Sequence, residues 1–407
     1  MSHQIVFLRN GIKLIHEAIS SPVSHFGILL NVGTRDEPDR LEGLAHFVEH
    51  TIFKGTTKRS SYQVLNRMED VGGDLNASTS KEETYFHSSF LSPDYPRAIE
   101  LLSDIFFNAN FPEIELEKEK DVVCEEIKYY KDSPAEQIFD DFEASVFARH
   151  PLGRSILGTR QSVLKMKRTD IMQFVSEHYT LKNMVLSSVG NVSTRQLLSW
   201  CNRYFGERAL PDRGHERMPF QGYVPVNKYR KAHTHQAHLM IGCPACSFYH
   251  EQNKPFILLT NILGGQGMNS RLNMAIREKK GYAYSVEASY VPFSDSGIFS
   301  VYVGCDNENA EACIQLALKE IHRLKTKALG TVQLAHAKKQ LIGQMTIANE
   351  TKLNEMLDLG RGALFFEEVE SMQESIRKIE NITASQILEV ANTTFQEDGF
   401  SMLRIMK

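Results

Sequence analysis

The sequence predicts an α+β fold of two similar domains, each a mostly antiparallel sheet covered by helices. Segments that alternate apolar and polar residues are interspersed with segments whose apolar residues recur at helical spacing. The second half of the chain repeats the order of segments seen in the first half, which indicates an internal duplication. The length of 407 residues is sufficient for two domains with separate cores.

The first half begins with a predicted hairpin and continues with helices and further strands. Ile5 to Glu17 alternates on either side of Asn10-Gly11, a dipeptide typical of tight hairpin turns. Two further strand-like segments run from His25 to Val32 and from Asp74 to Leu91. Helical spacing predicts four helices, at Leu44 to Lys54, Tyr62 to Val71, Pro96 to Asn108 and Ile114 to Tyr130. These segments together predict a sheet with helices packed on it.

Prolines and mixed charges interrupt the pattern at about residues 208–232, where we predict a linker. Beyond it, AHLMIGCPA repeats the pattern of HFGILLNVG, and each half ends in a short strand, VLSSVG or SMLRIM. Each half also has a long helical run, Glu115 to Asp132 or Val332 to Met356. We therefore predict an N-terminal domain over 1–215 and a homologous C-terminal domain over 216–407.

Composition and charge exclude several classes of function. The 46 Lys and Arg residues and 50 Asp and Glu residues give a net charge of −4 without a long basic run, so we expect no nucleic-acid partner. No apolar stretch approaches the roughly 18 residues of a membrane-spanning helix. The first residues also lack the pattern of a signal peptide. We therefore expect a cytoplasmic protein without a membrane partner.

The six cysteines are too sparse for a disulfide framework. Cys243 and Cys246 form the one close pair, in the sequence CPAC. A redox or metal clip is one interpretation of this spacing, but no second CxxC completes a zinc site. We favour two small buried side chains near the end of a strand.

The motif His46-Phe47-Val48-Glu49-His50 is the most informative feature of the sequence. At about 100° per residue, the two histidines differ by about 40° around a helix, so both rings can reach one ion. Zinc accepts imidazole nitrogen and tolerates an open position for water. Glu49 lies on the same face, where it can activate the zinc-bound water as a base. This HxxEH pattern is the inverse of the HExxH zinc signature.

A catalytic zinc site needs a third protein ligand, commonly a carboxylate. Glu119 and Glu126 lie seven residues apart, so about two helical turns place them on one face. Val122, Val123 and Cys124 indicate that this helix has a buried side. The residues alone leave two interpretations open, a ligand-bearing helix or a solvated acidic face.

The motif and the acidic helix belong to a set of three segments, GLAHFVEHTIFKGT, LNASTSKEETYF and EKDVVCEEI. These segments resemble the pitrilysin/insulinase family of inverted zinc peptidases, which includes the mitochondrial processing peptidase. The resemblance begins at FLRNGIKLIHE and NVGTRDEP and extends to SRLNMAIREKKGYAYSV, so it covers nearly the whole chain. It implies a short, bacterial-type member with a catalytic domain over 1–215 and an inactive domain over 216–407.

The resemblance also assigns roles to the residues of the motif. It implies a zinc metalloendopeptidase that binds one Zn²⁺ per chain through His46, His50 and Glu126. Glu49 is the expected catalytic residue. Glu119 is expected to orient a ligating histidine through its other ring N–H.

Four further residues are implied to contact the substrate. Asn76 and Ala77 begin an edge strand that, in the family, takes the peptide as an added strand. Arg277 and Tyr284 have the spacing of an arginine and a tyrosine that bind substrate near the scissile bond and stabilise the developing oxyanion. Tyr282 competes for the tyrosine role, and the match favours Tyr284.

Short members of the family pair two chains around a chamber that admits short or unfolded peptides. The resemblance therefore implies a homodimer in which Arg277 and Tyr284 of one chain face the zinc of the other. A heterodimer is an alternative. A non-catalytic partner subunit of a peptidase-like complex is a second alternative, which the presence of all four residues His46, Glu49, His50 and Glu126 disfavours.

Overall fold

A computed structural model describes residues 3–407 and confirms the predicted α+β fold. In the first half the elements are β1 (Gln4–Phe7), β2 (Lys13–Ala18), β3 (Val23–Leu30), α1 (Leu44–Ile52), α2 (Ser61–Glu69), β4 (Asn76–Thr79), β5 (Thr84–Leu91), α3 (Tyr95–Asn108), α4 (Glu113–Asp132), α5 (Pro134–Val146), α6 (Arg160–Lys165), α7 (Arg168–His178), β6 (Met184–Gly190) and α8 (Thr194–Tyr204). In the second half they are β7 (Asn227–Lys231), β8 (Ala237–Ala245), α9 (Asn253–Gly264), β9 (Ala283–Pro292), β10 (Gly297–Cys305), α10 (Ala310–Thr326), α11 (Thr331–Ala348), α12 (Lys352–Phe365), α13 (Met372–Glu380), α14 (Ala384–Thr394) and β11 (Ser401–Met406).

Two mostly antiparallel sheets have the same topology, which confirms the predicted duplication. The first has the order β1-β2-β6-β3-β5-β4 and the second β7-β11-β8-β10-β9. Apart from the extra edge strand β1, each strand of the first sheet has a counterpart in the second. In each sheet the one parallel pair formed by residues 3–407 occupies the same place, β2 beside β6 and β7 beside β11.

The chain forms two compact units that exchange segments. The first contains the chain up to Ile127 together with Ser155–Arg217 and Ile347–Ser371. The second contains Lys128–Arg154, Met218–Thr346 and Met372–Lys407. The predicted boundary at residues 215 and 216 lies close to Arg217, where the chain passes from the first unit to the second. The sequence pattern did not indicate the other positions at which the chain passes between the two units, because periodicity does not say which sheet a helix covers.

Each exchanged segment carries a helix that covers one face of a sheet. In the first unit, α12 packs on a face formed by Ile15, Leu29, Val185 and Val189. In the second unit, α5 packs on residues of β8, β10 and β11 through its buried side chains Ile138, Phe142 and Val146. The opposite face of each sheet packs against a separate, larger core. Strands such as β3 send alternate side chains to the two faces of their sheet. Both faces of each sheet are therefore buried, which explains why strands such as β3 have continuous runs of apolar residues.

The predicted linker was too long at its end. Residues 209–226 have no helix or strand, but Asn227–Lys231 forms β7 and pairs with β11. The sequence NKYRK reads as a solvated segment because this edge strand is largely exposed. Among residues 3–407, no helix combines the length and the apolar composition needed to cross a bilayer.

We predict that Gly360 controls how closely α12 approaches the first sheet. A methyl group at this position would lie 2.6 Å from Leu29 Cδ1 and 3.0 Å from Ser187 Cβ. Gly360→Ala should therefore destabilise the protein by about 1–3 kcal/mol, seen as a lower urea midpoint. The control Gly343→Ala in α11 meets no atom within 4 Å, and should be neutral or stabilising by up to about 1 kcal/mol. Equal midpoints for the two variants would contradict this account.

Candidate metal centre

Helix α1 starts at a fixed position because a buried carboxylate holds its N terminus. Glu37 accepts hydrogen bonds from the backbone N–H of Gly43 at 2.8 Å and of Ala45 at 2.7 Å. A carboxylate here satisfies donors that the helix leaves unpaired and complements the helix dipole. Gly43 has a φ of 87°, and a Cβ at this position would lie 2.5 Å from the Leu157 carbonyl oxygen, so only glycine fits.

The core side of α1 determines where the two histidines of the motif lie. Phe47 and Val48 are fully buried in the core of the first unit. His46 and His50, one turn apart, bring their rings to a centroid distance of 4.5 Å. The helical spacing of the motif therefore places two imidazoles side by side.

Helix α4 brings a carboxylate to these rings. It packs into the same core through three buried apolar residues at helical spacing, Leu116, Val123 and Ile127. Glu126 Oε2 lies 3.8 Å from His46 Nε2 and 3.6 Å from His50 Nε2. All three candidate ligand atoms lie within 4.8 Å of one another. Among residues 3–407, no other three side chains of His, Cys, Asp or Glu bring their ligand atoms together in this way.

The geometry and the donor atoms fit zinc. Two ligands of a tetrahedral zinc ion with bonds of about 2.0–2.1 Å lie about 3.3–3.4 Å apart. The distances from Glu126 to the two rings exceed this value by only a few tenths of an ångström. Burial, reinforced by the neighbouring His50, lowers the pKa of His46 to about 3. His46 is therefore a neutral imidazole at pH 7, the form that binds metal.

The carboxylates around the second ring give the site an excess of negative charge. Burial opposes a charge on His50, but Glu119, Glu126 and Glu49 outweigh this effect and raise its pKa. Three acidic side chains thus surround two imidazoles in a partly buried space. A dication at the three ligand atoms would offset the repulsion among these carboxylates.

Glu49 lies beside the ligand atoms without being one of them. Burial raises its pKa, and the Glu126 carboxylate adds to this, while the Thr79 hydroxyl and His50 oppose it. Thr79 ends β4 and is buried. A carboxylate whose pKa is raised toward neutrality is suited to accepting and then donating a proton.

Two further side chains, Glu119 and Lys54, lie beyond the ring of His50. The His50 ring donates from Nδ1 to Glu119 Oε1 at 3.0 Å when Nε2 faces the metal. Lys54 Nζ forms an ion pair with Glu119 Oε2 at 2.6 Å. Burial opposes ionisation of Glu119, yet His50 and Lys54 together lower its pKa. The spacing of the sequence indicated Glu119 but not Lys54 or Glu37, although Lys54 follows His50 by about one helical turn.

The two residues predicted to contact the substrate lie at an edge. Asn76 and Ala77 begin β4, the last strand of the first sheet. Among residues 3–407, β4 pairs with β5 alone, with Asn76 opposite His87 and Ala77 opposite Phe86. Helix α1 packs against β4, so this edge strand adjoins the helix that carries both histidines.

Arg277 and Tyr284 lie together in the second unit. Arg277 belongs to a π-helical turn, Asn273–Glu278, and its guanidinium lies 5.7 Å from the centre of the Tyr284 ring. Tyr284 is 78% exposed on the edge strand β9. The competing Tyr282 instead packs on the core of that unit. Of the two tyrosines, only Tyr284 presents its ring to solvent beside the arginine.

The structure argues against a redox or metal clip at the CPAC segment. Cys243 is buried, its thiol points to the Thr394 carbonyl oxygen at 3.7 Å, and burial raises its pKa to about 12. Cys246 lies 3.3 Å from the Tyr290 hydroxyl instead. The preferred prediction of two small buried side chains near the end of a strand is correct for Cys243, whereas Cys246 is only partly buried.

Comparison with known proteins adds independent information. Residues 14–160 match the model of the insulinase family (peptidase family M16), and residues 165–341 match that of the peptidase M16 inactive domain. The chain is 30% identical over 395 residues to the uncharacterized zinc protease YmxG of Bacillus subtilis, covering 96% of this chain and 95% of that protein. It is 32% identical over 393 residues to the uncharacterized zinc protease Rv2782c of Mycobacterium tuberculosis, covering 94% and 89%.

Two crystal structures share the fold. A protease from Helicobacter pylori superposes with a TM-score of 0.92 at 21% identity, covering 99% of both chains. A peptidase M16 inactive domain from Pseudomonas fluorescens superposes with a TM-score of 0.91 at 18% identity, covering 100% of this chain and 98% of that one. The family matches and the curated relatives confirm the resemblance found in the sequence: the chain belongs to the insulinase family of peptidases, family M16.

Proposed function

We propose that this chain is a zinc metallopeptidase in which His46, His50 and Glu126 bind one zinc ion and Glu49 transfers protons. The observation that carries the proposal is the convergence of two imidazole nitrogens and one carboxylate oxygen within 4.8 Å. The relatives named zinc proteases support the same activity.

The chain's own residues provide most of the chemistry in this proposal. Bound zinc supplies Lewis acidity toward water and the scissile carbonyl. Glu49 takes a proton from the attacking water and later donates it to the leaving amine, a role to which its raised pKa is suited. Glu119 holds the His50 ring through Nδ1, so that Nε2 keeps its lone pair for the metal.

The free edge of β4 is the proposed site of the peptide substrate. Main-chain hydrogen bonds to this edge would hold the substrate as an added strand, independently of its sequence and in contact with Asn76 and Ala77. This mode requires an extended chain, so short or unfolded peptides and internal peptide bonds are the expected targets. Arg277 and Tyr284 are proposed to donate hydrogen bonds to the carbonyl oxygen as it gains negative charge.

A non-catalytic partner subunit is the alternative function, because residues 165–341 match an inactive domain. That match, however, lies in a part of the chain that contains none of the four residues of the candidate metal centre. All four lie within residues 14–160, which match the insulinase family model itself.

We further propose that two copies of the chain form a homodimer. In this arrangement Arg277 and Tyr284 of one copy face the metal centre of the other, so that each active site needs both chains. Pairing with a different chain is the alternative. Closed two-fold pairing is the commonest form of self-association and gives two equivalent sites.

We predict that loss of the Glu126 carboxylate weakens metal binding. Glu126→Gln should weaken zinc binding by more than about 100-fold, beyond the 10–100-fold typical of residues outside the ligand set. Glu125→Gln removes the same charge one position earlier, on an exposed side chain, and should bind zinc normally. Zinc content after dialysis and competition with a chromogenic chelator measure the difference. Equal zinc affinity in the two variants would remove Glu126 from the site.

We predict that Glu49 is needed for turnover but not for zinc binding. Glu49→Gln should retain one zinc per chain and lower turnover of a quenched peptide by about 10²–10⁴-fold, the usual contribution of a general base. Removal of zinc from the wild-type protein with a chelator should abolish turnover, and added zinc should restore it. Unchanged turnover in Glu49→Gln would exclude this residue as the base, and absence of turnover in the wild-type protein would favour the non-catalytic alternative.

We predict that two inactive variants of the chain complement each other in a mixed dimer. Glu49→Gln and the double variant Arg277→Ala/Tyr284→Phe should each be inactive alone. An equal mixture, after subunit exchange, should recover roughly a quarter of wild-type activity, because half of the pairs are mixed and each has one complete site. Native mass spectrometry of the mixture confirms the exchange, because the mixed dimer has a mass between those of the two parental dimers. A mixture no more active than its components would indicate that each active site uses a single chain.

A further inference from the structure

Lys54 occupies a fixed position directly after α1. Its backbone N–H donates to the Thr51 carbonyl oxygen at 3.1 Å, which closes the last turn of the helix. The following residues are also held, because the Thr56 hydroxyl donates to buried Asp104 at 2.8 Å and the Gly55 carbonyl accepts from Asn110 at 3.2 Å. The backbone on both sides of Lys54 is therefore restrained, and its side chain reaches back from an ordered segment.

The Lys54 ammonium group contacts a carboxylate that is itself bound to a candidate metal ligand. Glu119 uses one oxygen to accept from His50 Nδ1 at 3.0 Å and the other to pair with Lys54 Nζ at 2.6 Å. The Glu119 side chain is 8% exposed and that of Lys54 27% exposed. This pair therefore differs from an ordinary surface ion pair, whose partners are free to turn into water.

The two histidines differ in the hydrogen bonding of their Nδ1 atoms. His46 Nδ1 is buried and has no hydrogen-bond partner among residues 3–407, whereas His50 Nδ1 is bound to Glu119. A carboxylate that is held at both oxygens is restrained from rotating away from the ring that it contacts. No comparable chain of contacts holds His46 in the described part of the molecule.

We propose that Lys54 is a positioning residue for His50: by binding the second oxygen of Glu119, it holds that carboxylate against the ring and thereby increases zinc retention. This inference rests on the proposed zinc site. It extends that site by a third layer, Lys54 to Glu119 to His50, which acts on one of the two imidazoles only.

The test is a double-mutant cycle on zinc affinity, measured on the metal-free full-length chain by competition with a chromogenic chelator. Lys54→Met keeps the aliphatic stem and removes the ammonium group. It should weaken zinc binding by about tenfold, at the lower end of the 10–100-fold effect of outer residues, and Glu119→Gln should weaken it more. In the Glu119→Gln background, Lys54→Met should have less than about a twofold effect, because the two residues act through one contact.

Lys58→Met is the matched control. It removes the same group four residues later, from a side chain that is 60% exposed and 4.0 Å from Asp104, and it should leave zinc affinity unchanged. Lys54→Arg retains a cationic donor and should recover part of the affinity. Urea midpoints recorded for each variant separate a loss of stability from a loss of metal. If Lys54→Met does not fold, Lys54→Gln takes its place in the cycle.

Two results would overturn the inference. Zinc affinity unchanged by Lys54→Met would show that Glu119 needs no second partner. An equal loss in the wild-type and Glu119→Gln backgrounds would show that Lys54 acts on the metal independently of this carboxylate. Either result leaves the proposed peptidase intact, whereas a wild-type chain that binds no zinc refutes the proposed function and this inference together.

Discussion

The approach of α4 to α1 is the constraint on which the candidate site depends. It brings three carboxylates and two imidazoles into one partly buried space, where water screens their charges less than at the surface. Like charges held this closely cost free energy unless protons or a cation offset them. The Glu126 oxygen within 4 Å of both rings leaves room for one small cation between the three atoms. Charge and geometry thus favour the same occupant.

The surrounding structure holds both helices in place. Glu37 binds the start of α1, and Asp104 binds the loop that follows this helix. The apolar residues of both helices belong to one core. A metal site needs ligands held within a fraction of an ångström, and rigid elements with buried faces supply this precision better than loops do. The polar residues of the site are therefore positioned mainly by apolar packing and by carboxylates that do not bind the metal.

The duplicated topology separates architecture from chemistry. The two sheets share strand order, and each has one face covered by a helix from an exchanged segment. Among residues 3–407 the candidate metal ligands nevertheless occur in the first unit alone. In the second unit the counterpart of β4 carries the exposed Tyr284, whose ring lies beside Arg277. One fold has thus been used twice, with different side chains at corresponding edges.

The sequence by itself determined the local features of this protein. The alternation of residues indicated the hairpin and the strands, and helical spacing indicated α1 and α4, because these periods reflect which side chains face a core. The HxxEH motif identified His46, Glu49 and His50 from one helical turn. Local geometry sets all of these, so a single segment contains the information.

Only the tertiary structure decided which distant segments meet. Spacing left Glu119 and Glu126 as either ligands or a solvated face, and the packing of α4 brings both toward the histidines, one at each ring nitrogen of His50. The contact of Lys54 with Glu119 and the exchange of α5 and α12 had no signal in periodicity. Such contacts join residues that are far apart along the chain, and the free energy that favours them comes from burial shared across the whole core.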